Sequence, residues 1–363
     1  MKSRHLLAVV AAGVLAIAVS ACGSSNKSSS SPSASAGGSE GGTLNGAGST
    51  LAQPIYQQWG SELKDKGITL NYQGVGSGAG VASFAAGTAD FAASDPALTP
   101  DDKETIKKSP AIQIPTVFGA ITVSYNLSGV DKGLKLDGKT IADIYLGKVK
   151  KWNDPEIASQ NSGVSLPSDN ITVVHRSDSS GTTKGFTTFL SAYSPQWKSQ
   201  VGADKDVKWP LGTGAKGNPG VAAAVKQTQG AIGYVEEAYA LQNNFTTADV
   251  KNKSGKYIAP SLETTTAAGD GIKIPTDLGF TTIDSPNPAA YPIVSQTFIV
   301  VHQDLCAGGM SKANAEAFKT FINYGLGDGQ NMAKQLYYAP LPSALLAKAK
   351  AQVSKLQCSG AAL

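Results

Sequence analysis

The sequence predicts an α/β protein, and three observations carry that prediction. Short β-branched or apolar runs alternate with segments whose apolar residues recur every three or four positions, the pattern of strands alternating with helices. Three strand-to-helix passages run through turns of glycine with serine or threonine: Gly46-Ala47-Gly48-Ser49-Thr50, Gly74-Val75-Gly76-Ser77-Gly78 and Ser179-Ser180-Gly181-Thr182. The chain has 363 residues and 41% apolar content, enough for two domains with proper cores.

The N-terminus reads as an export signal. Lys2, Arg4 and His5 precede the apolar run Leu6 to Val19, which is shorter than the roughly 20 residues a spanning helix needs. Residues 1–21 are the expected signal peptide, and Val19-Ser20-Ala21-Cys22 resembles a lipobox, with Cys22 as the expected lipidated residue. Residues 22–42 then form a Ser/Gly/Ala tract too polar and small to build a core, expected to be a flexible tether. The folded part is therefore expected outside the cytoplasmic membrane, anchored to it. The net charge of +4 has no basic cluster behind it, which argues against nucleic acid as a partner. In that oxidising compartment Cys306 and Cys358 are expected to pair; the alternative is two free, buried thiols. The three histidines and three cysteines show no metal-ligand spacing, so neither a metal nor a cofactor is expected.

The folded part begins near Thr43 with a short strand that turns at Gly48. Ile55, Trp59 and Leu63 then mark one face of a helix, with Pro54 in its first turn and Thr50 near its start. Ile68 to Gln73 alternates as a strand, the glycine-rich turn around Ser77 follows, and Val81, Phe84 and Ala85 lie on the next helix. Gly74 to Ala79 fits a loose G-x-G-x-x-A pattern, but the segment around Asp95 reads as a turn before Pro96, so a dinucleotide site is not expected. Asp95 ends the small-residue strand Ala89 to Ser94. A carboxylate near an anion site repels its ligand unless the ligand carries a proton that the carboxylate accepts. Hydrogen phosphate does; sulfate at neutral pH does not. Ala111 to Val117 and Ala120 to Tyr125 read as central strands, and Leu134 to Trp152 as an amphipathic surface helix with solvated lysines.

Ile171 to Val174 is a buried strand that leaves through His175-Arg176-Ser177-Asp178-Ser179-Ser180-Gly181-Thr182 into a helix carrying Phe186, Phe189 and Leu190. A helix start leaves backbone N–H groups unpaired and partly positive, the hydroxyls of Ser180 and Thr182 add donors, and Arg176 adds a full charge. That set suits a small tetrahedral anion. Lys208 to Asn218 reads as a loop, Val221 to Thr228 as a helix, Ala231 to Val235 as a strand, and 243–287 as a peripheral, turn-rich insertion. Pro292 to Val301 is a strong strand, and Ala315 to Tyr324 with Ala344 to Leu356 are closing helices.

Several ordered segments together resemble the phosphate-binding lipoproteins of bacterial phosphate ABC importers. They are Gly46 to Thr50, Tyr72 to Ser77, Asp90 to Asp95 and Arg176 to Thr182, with Asp143 to Lys148, Lys151-Trp152 and Gly230 to Glu236 matching segments expected away from the site. The resemblance implies a type II periplasmic-binding-protein fold with the ligand in a cleft between two lobes. It implies one lobe from 43–125 with 291–363, and the other from 126–290. It implies that Thr50, Ser77, Ser180 and Thr182 donate hydroxyls, that Leu51, Gly181 and Thr182 donate backbone N–H groups, that Asp95 accepts the proton of phosphate, and that Arg176 supplies the cation, held by Asp178. Leu51 stands where family members often have an aromatic residue, and His175 where some have a second basic one. The resemblance further implies a monomeric carrier rather than an enzyme, delivering inorganic phosphate to membrane permease subunits. Binding of another oxyanion, sulfate or molybdate, is the alternative, and Asp95 argues against both. A hydrolase with Ser180, His175 and Asp178 would need residues from one strand end to converge, which such neighbours rarely do. A surface adhesin would leave the three hydroxyl-bearing turns unexplained.

Overall fold

The computed structural model describes residues 41–363 apart from residues 131 and 132. The signal peptide, Cys22 and the tether as far as residue 40 lie outside the described residues.

The first half of the chain gives β1 (Thr43–Gly48), α1 (Gln53–Glu62), β2 (Thr69–Gly74), α2 (Ser77–Ala85), β3 (Phe91–Ser94) and β4 (Ala111–Asn126). Then come β5 (Thr172–Arg176), α3 (Gly181–Tyr193), β6 (Thr213–Ala215), α4 (Gly217–Gln227), β7 (Ala231–Glu236) and β8 (Val294–His302). These strands lie in one sheet in the order β2-β1-β3-β8-β4-β7-β5-β6. The sheet has two wings. In the first, β2, β1 and β3 are parallel; in the second, β7, β5 and β6 are parallel. Antiparallel β4 and β8 lie between them, β4 pairing with β8 along its first part and with β7 along its last.

Four expectations need correction. The two runs at 111–125 form one strand of 16 residues, β4. It passes Pro115 by a bulge: Thr297 faces Val117 and Phe298 faces Pro115, so Thr116 is the extra residue. The helix expected over 134–152 is confined to Gly138–Tyr145, capped by Asp137, and two of the lysines in that span, Lys139 and Lys148, are paired with the buried Asp143. The expected loop at 208–218 contains β6 and the first turn of α4. Segment 243–287 is not simply peripheral: Ala248 and Val250 are fully buried, and Phe280 packs edge-on against Phe118 and Phe298.

Aromatic clusters fill each wing. Trp59 of α1 and Phe91 of β3 meet Phe321 at ring separations of 6.1 and 5.8 Å. In the second wing Phe186 of α3 stacks on Tyr234 of β7 at 4.3 Å. Truncating an aromatic side chain at such positions costs about 3–5 kcal/mol. Cys306 and Cys358 are joined by a disulfide.

Candidate functional site

In open α/β sheets, ligands bind outside the carboxyl ends of parallel strands where the strand order switches. Here the parallel strands of both wings lead, past those ends, into one set of contacts. β1 leads to Thr50, β2 to Ser77 and β3 to Asp95; β5 leads to Ser180, β6 to Asn218 and β7 ends at Glu236. Ser77, Asp95, Arg176, Ser180, Thr182, Thr50 and Asn218 are all buried.

The turn after β1 is held on every side. Ser49 Oγ accepts the N–H groups of Leu51 and Ala52 at 3.0 and 3.2 Å. The carbonyls of Ser49, Thr50 and Leu51 accept from the hydroxyls of Tyr72, Tyr239 and Tyr338 at 2.7, 2.8 and 2.7 Å. Thr50 Oγ1 accepts both the backbone N–H and the side-chain amide of Asn218, each at 3.0 Å.

Ser77 occupies the first position of α2, which begins four residues before the expected Val81. Its Oγ accepts from Asp95 N at 3.3 Å and from Gly181 N at 3.2 Å, and donates to Asp95 Oδ2 at 3.4 Å. The wings approach closely here. A Cβ on Gly181 would fall 2.5 Å from both Asp95 Oδ2 and Ser77 Oγ, and one on Gly76 would fall 2.4 Å from Asp178 Oδ2. Gly76 also has φ of 92°, a conformation that disfavours any side chain.

Ser180 caps α3, its Oγ accepting Thr183 N at 3.1 Å. Arg176 binds Asp178 through Nε at 2.7 Å and Nη2 at 2.5 Å, and its Nη1 reaches Thr182 Oγ1 at 3.3 Å. Tyr234 fixes this strand end from the core, accepting Arg176 N at 3.1 Å and bonding Thr183 Oγ1 at 2.7 Å. His175 lies apart, stacked on Trp209 with Nδ1 at Arg176 O, so Ser180, His175 and Asp178 do not form a triad.

The charges are distributed unevenly. Burial pushes the Asp95 carboxyl up to about 6, against the pull of the Ser49 and Thr297 hydroxyls, the Arg176 charge and the Ser77 hydroxyl. Its Oδ1 has no hydrogen-bond partner among the described residues. Burial also opposes ionisation of Asp178, but Arg176 and the Gly217 N–H outweigh it and hold that carboxyl below its usual range. Glu236, fully buried beside Asn218 and Tyr338, is raised well above the carboxylate range by burial. Among the described residues, no group of three or more His, Cys, Asp or Glu side chains is placed to hold a metal ion.

The structure thus brings together all the expected residues, with two differences in detail. The N–H groups of Leu51 and Gly181, expected to face a ligand, are engaged by Ser49 and Ser77. Asn218, Tyr239, Tyr338 and Glu236 were not expected. The one sequence cue for Asn218 was its place just ahead of Pro219, which is tolerated in the first turn of a helix.

Residues 33–328 match the family described as "PBP superfamily domain". The chain is 41% identical to the phosphate-binding protein PstS of Pasteurella multocida over 314 residues, 85% of this chain and 89% of that protein. It is 34% identical to the phosphate-binding protein PstS 2 of Mycobacterium tuberculosis, covering 98% of this chain and 99% of that one. Among solved structures it resembles PfluDING, a high affinity periplasmic phosphate-binding protein bound with phosphate, with a TM-score of 0.70 at 23% identity over 85% of this chain and 93% of that one. The fold is therefore the expected α/β periplasmic-binding-protein fold, and the chain belongs to the PBP superfamily and, within it, to the family of phosphate-binding proteins PstS.

Proposed function

We propose that this chain captures inorganic phosphate outside the cytoplasmic membrane and delivers it to the permease subunits of an ABC importer. One observation carries the reading. A buried carboxylate with an unpartnered oxygen, Asp95, stands in the first wing opposite a buried arginine, Arg176, in the second, with serine and threonine hydroxyls between them. A site that must hold an anion tolerates a carboxylate only when the anion brings a proton to it. The phosphate-binding names of its relatives agree with this reading.

In this reading Asp95 accepts the P–OH proton. Arg176, oriented by Asp178, faces the bare oxygens. Thr50, Ser77, Ser180 and Thr182 donate hydroxyls. Thr182 N–H, in the first turn of a helix where backbone donors lack intrahelical partners, joins them. The N–H groups of Leu51 and Gly181 exchange Ser49 and Ser77 for an anion oxygen. The lobes are 43–125 with 291–363, and 126–290, joined through β4 and β8. A ligand gripped by both favours the closed form by its differential affinity. The chain is a carrier rather than an enzyme, monomeric, and tethered through lipid on Cys22.

Calorimetric titration of the ligand-stripped protein tests the reading. Phosphate and arsenate, both protonated near neutral pH, bind, and sulfate does not. Equal binding of sulfate and phosphate, or no heat with phosphate, overturns it.

A further inference from the structure

We infer that Asn218 fixes the direction of two hydroxyl protons in the anion site and is thereby a specificity-determining positioning residue. The inference rests on the phosphate reading above.

Asn218, at the second position of α4, is fully buried. Its Oδ1 accepts the N–H of Glu236 at 3.0 Å. A backbone N–H must face the carbonyl end of the amide, so the orientation of the side chain is settled. Nδ2 then gives its two protons to two oxygens, Thr50 Oγ1 at 3.0 Å and Thr182 Oγ1 at 3.2 Å. Each of those oxygens has one other donor: Asn218's own backbone N–H at 3.0 Å on Thr50, and Arg176 Nη1 at 3.3 Å on Thr182.

A hydroxyl has one proton and two acceptor positions. Asn218 and Arg176 fill both acceptor positions on each threonine, and no acceptor among the described residues takes either threonine proton. Both hydroxyls are therefore obliged to donate. A bare phosphate oxygen is drawn to them; a P–OH finds no acceptor there for its proton, which is left to Asp95. Asn218 thus sorts the oxygens of the anion from 168 residues away from Thr50 in sequence, one on each side of the cleft, and a merely space-filling side chain would not.

A double-mutant cycle on the intact, ligand-stripped protein separates these roles. Inorganic phosphate is titrated calorimetrically into wild type, Asn218→Ala, Thr182→Val and the double variant, with thermal unfolding as the check on folding. Asn218→Ala should weaken binding about tenfold in the wild-type background, as for loss of a hydrogen bond to a charged partner, and less than about threefold once Thr182→Val is present. The same loss in both backgrounds, or no loss in the first, overturns the inference. Asn218→Ser in the same two backgrounds gives the same reading should the alanine variant not fold. If wild type itself binds no phosphate, the functional reading beneath falls instead, and the inference with it.

Discussion

The two wings of the sheet share a plan and differ in charge. Each offers three parallel strands whose carboxyl ends reach the site. In the second wing the buried cation is Arg176, already compensated by two bonds to Asp178. In the first the buried charge-bearing group is Asp95, with no cation bonded to it and one oxygen unpartnered among the described residues. A compensated charge can be buried and wait for a ligand; an uncompensated one tends to take up a proton, which is why the Asp95 carboxyl lies at about 6 while that of Asp178 is lowered. In the phosphate reading proposed above, one wing attracts the anion and the other tests whether it bears hydrogen.

The sharpest way to break this comparison is to empty the second wing. Arg176→Ala leaves the half-buried Asp178 without its partner and should weaken phosphate binding by about 2–5 kcal/mol by calorimetry; unchanged affinity would place the attractive charge elsewhere. The first wing is tested by pH. Asp95 has a raised carboxyl, so its contribution to the stability of the ligand-free protein is full only below about pH 4 and is lost as pH rises through about 6. Between about pH 4 and 6 wild type should lose about 2 kcal/mol more than Asp95→Asn in denaturant unfolding, and parallel pH curves would remove the uncompensated charge from the account. The same variant should lose discrimination against sulfate.

Smaller changes sharpen how the wings meet. Gly76→Ala combines a left-handed backbone with a clash on Asp178. It should cost about 1–3 kcal/mol of stability and enlarge the phosphate-bound particle in small-angle scattering; a variant as stable and as compact as wild type would show that the approach is not tight. Tyr239→Phe removes one bond from the second wing to the Thr50 carbonyl. It should weaken phosphate binding by about 1 kcal/mol and leave the sulfate discrimination alone, and a change in selectivity would contradict a purely bracing role.

The sequence made the strand–turn–helix units legible because their signals are local. Ser180 and Thr182 follow an apolar β-branched strand and open a helix with aromatic residues at helical spacing, and each feature reads within a dozen positions. The early starts of α2 at Ser77 and α4 at Gly217 were not legible, because glycine disfavours helix and only packing against the sheet overrides that preference. The three tyrosines that hold the carbonyls of Ser49, Thr50 and Leu51 come from residues 72, 239 and 338. Nothing in the neighbourhood of a tyrosine says which distant carbonyl its hydroxyl will meet. Asn218 and Glu236 were missed for the same reason, Glu236 because a charged residue ending an apolar strand ordinarily reads as the strand's exit to solvent.

The position of β8 has a consequence for how the chain is made. It lies between β3 and β4, yet it comes from residues 294–302 while they come from 91–126. A ribosome therefore delivers the N-terminal wing before the strand that joins it to β4, and supplies that strand only near the end of synthesis. Pairings so far apart in sequence form slowly. That postponement leaves the two wings unjoined through most of synthesis, and the contacts between them close only once the whole polypeptide has been made.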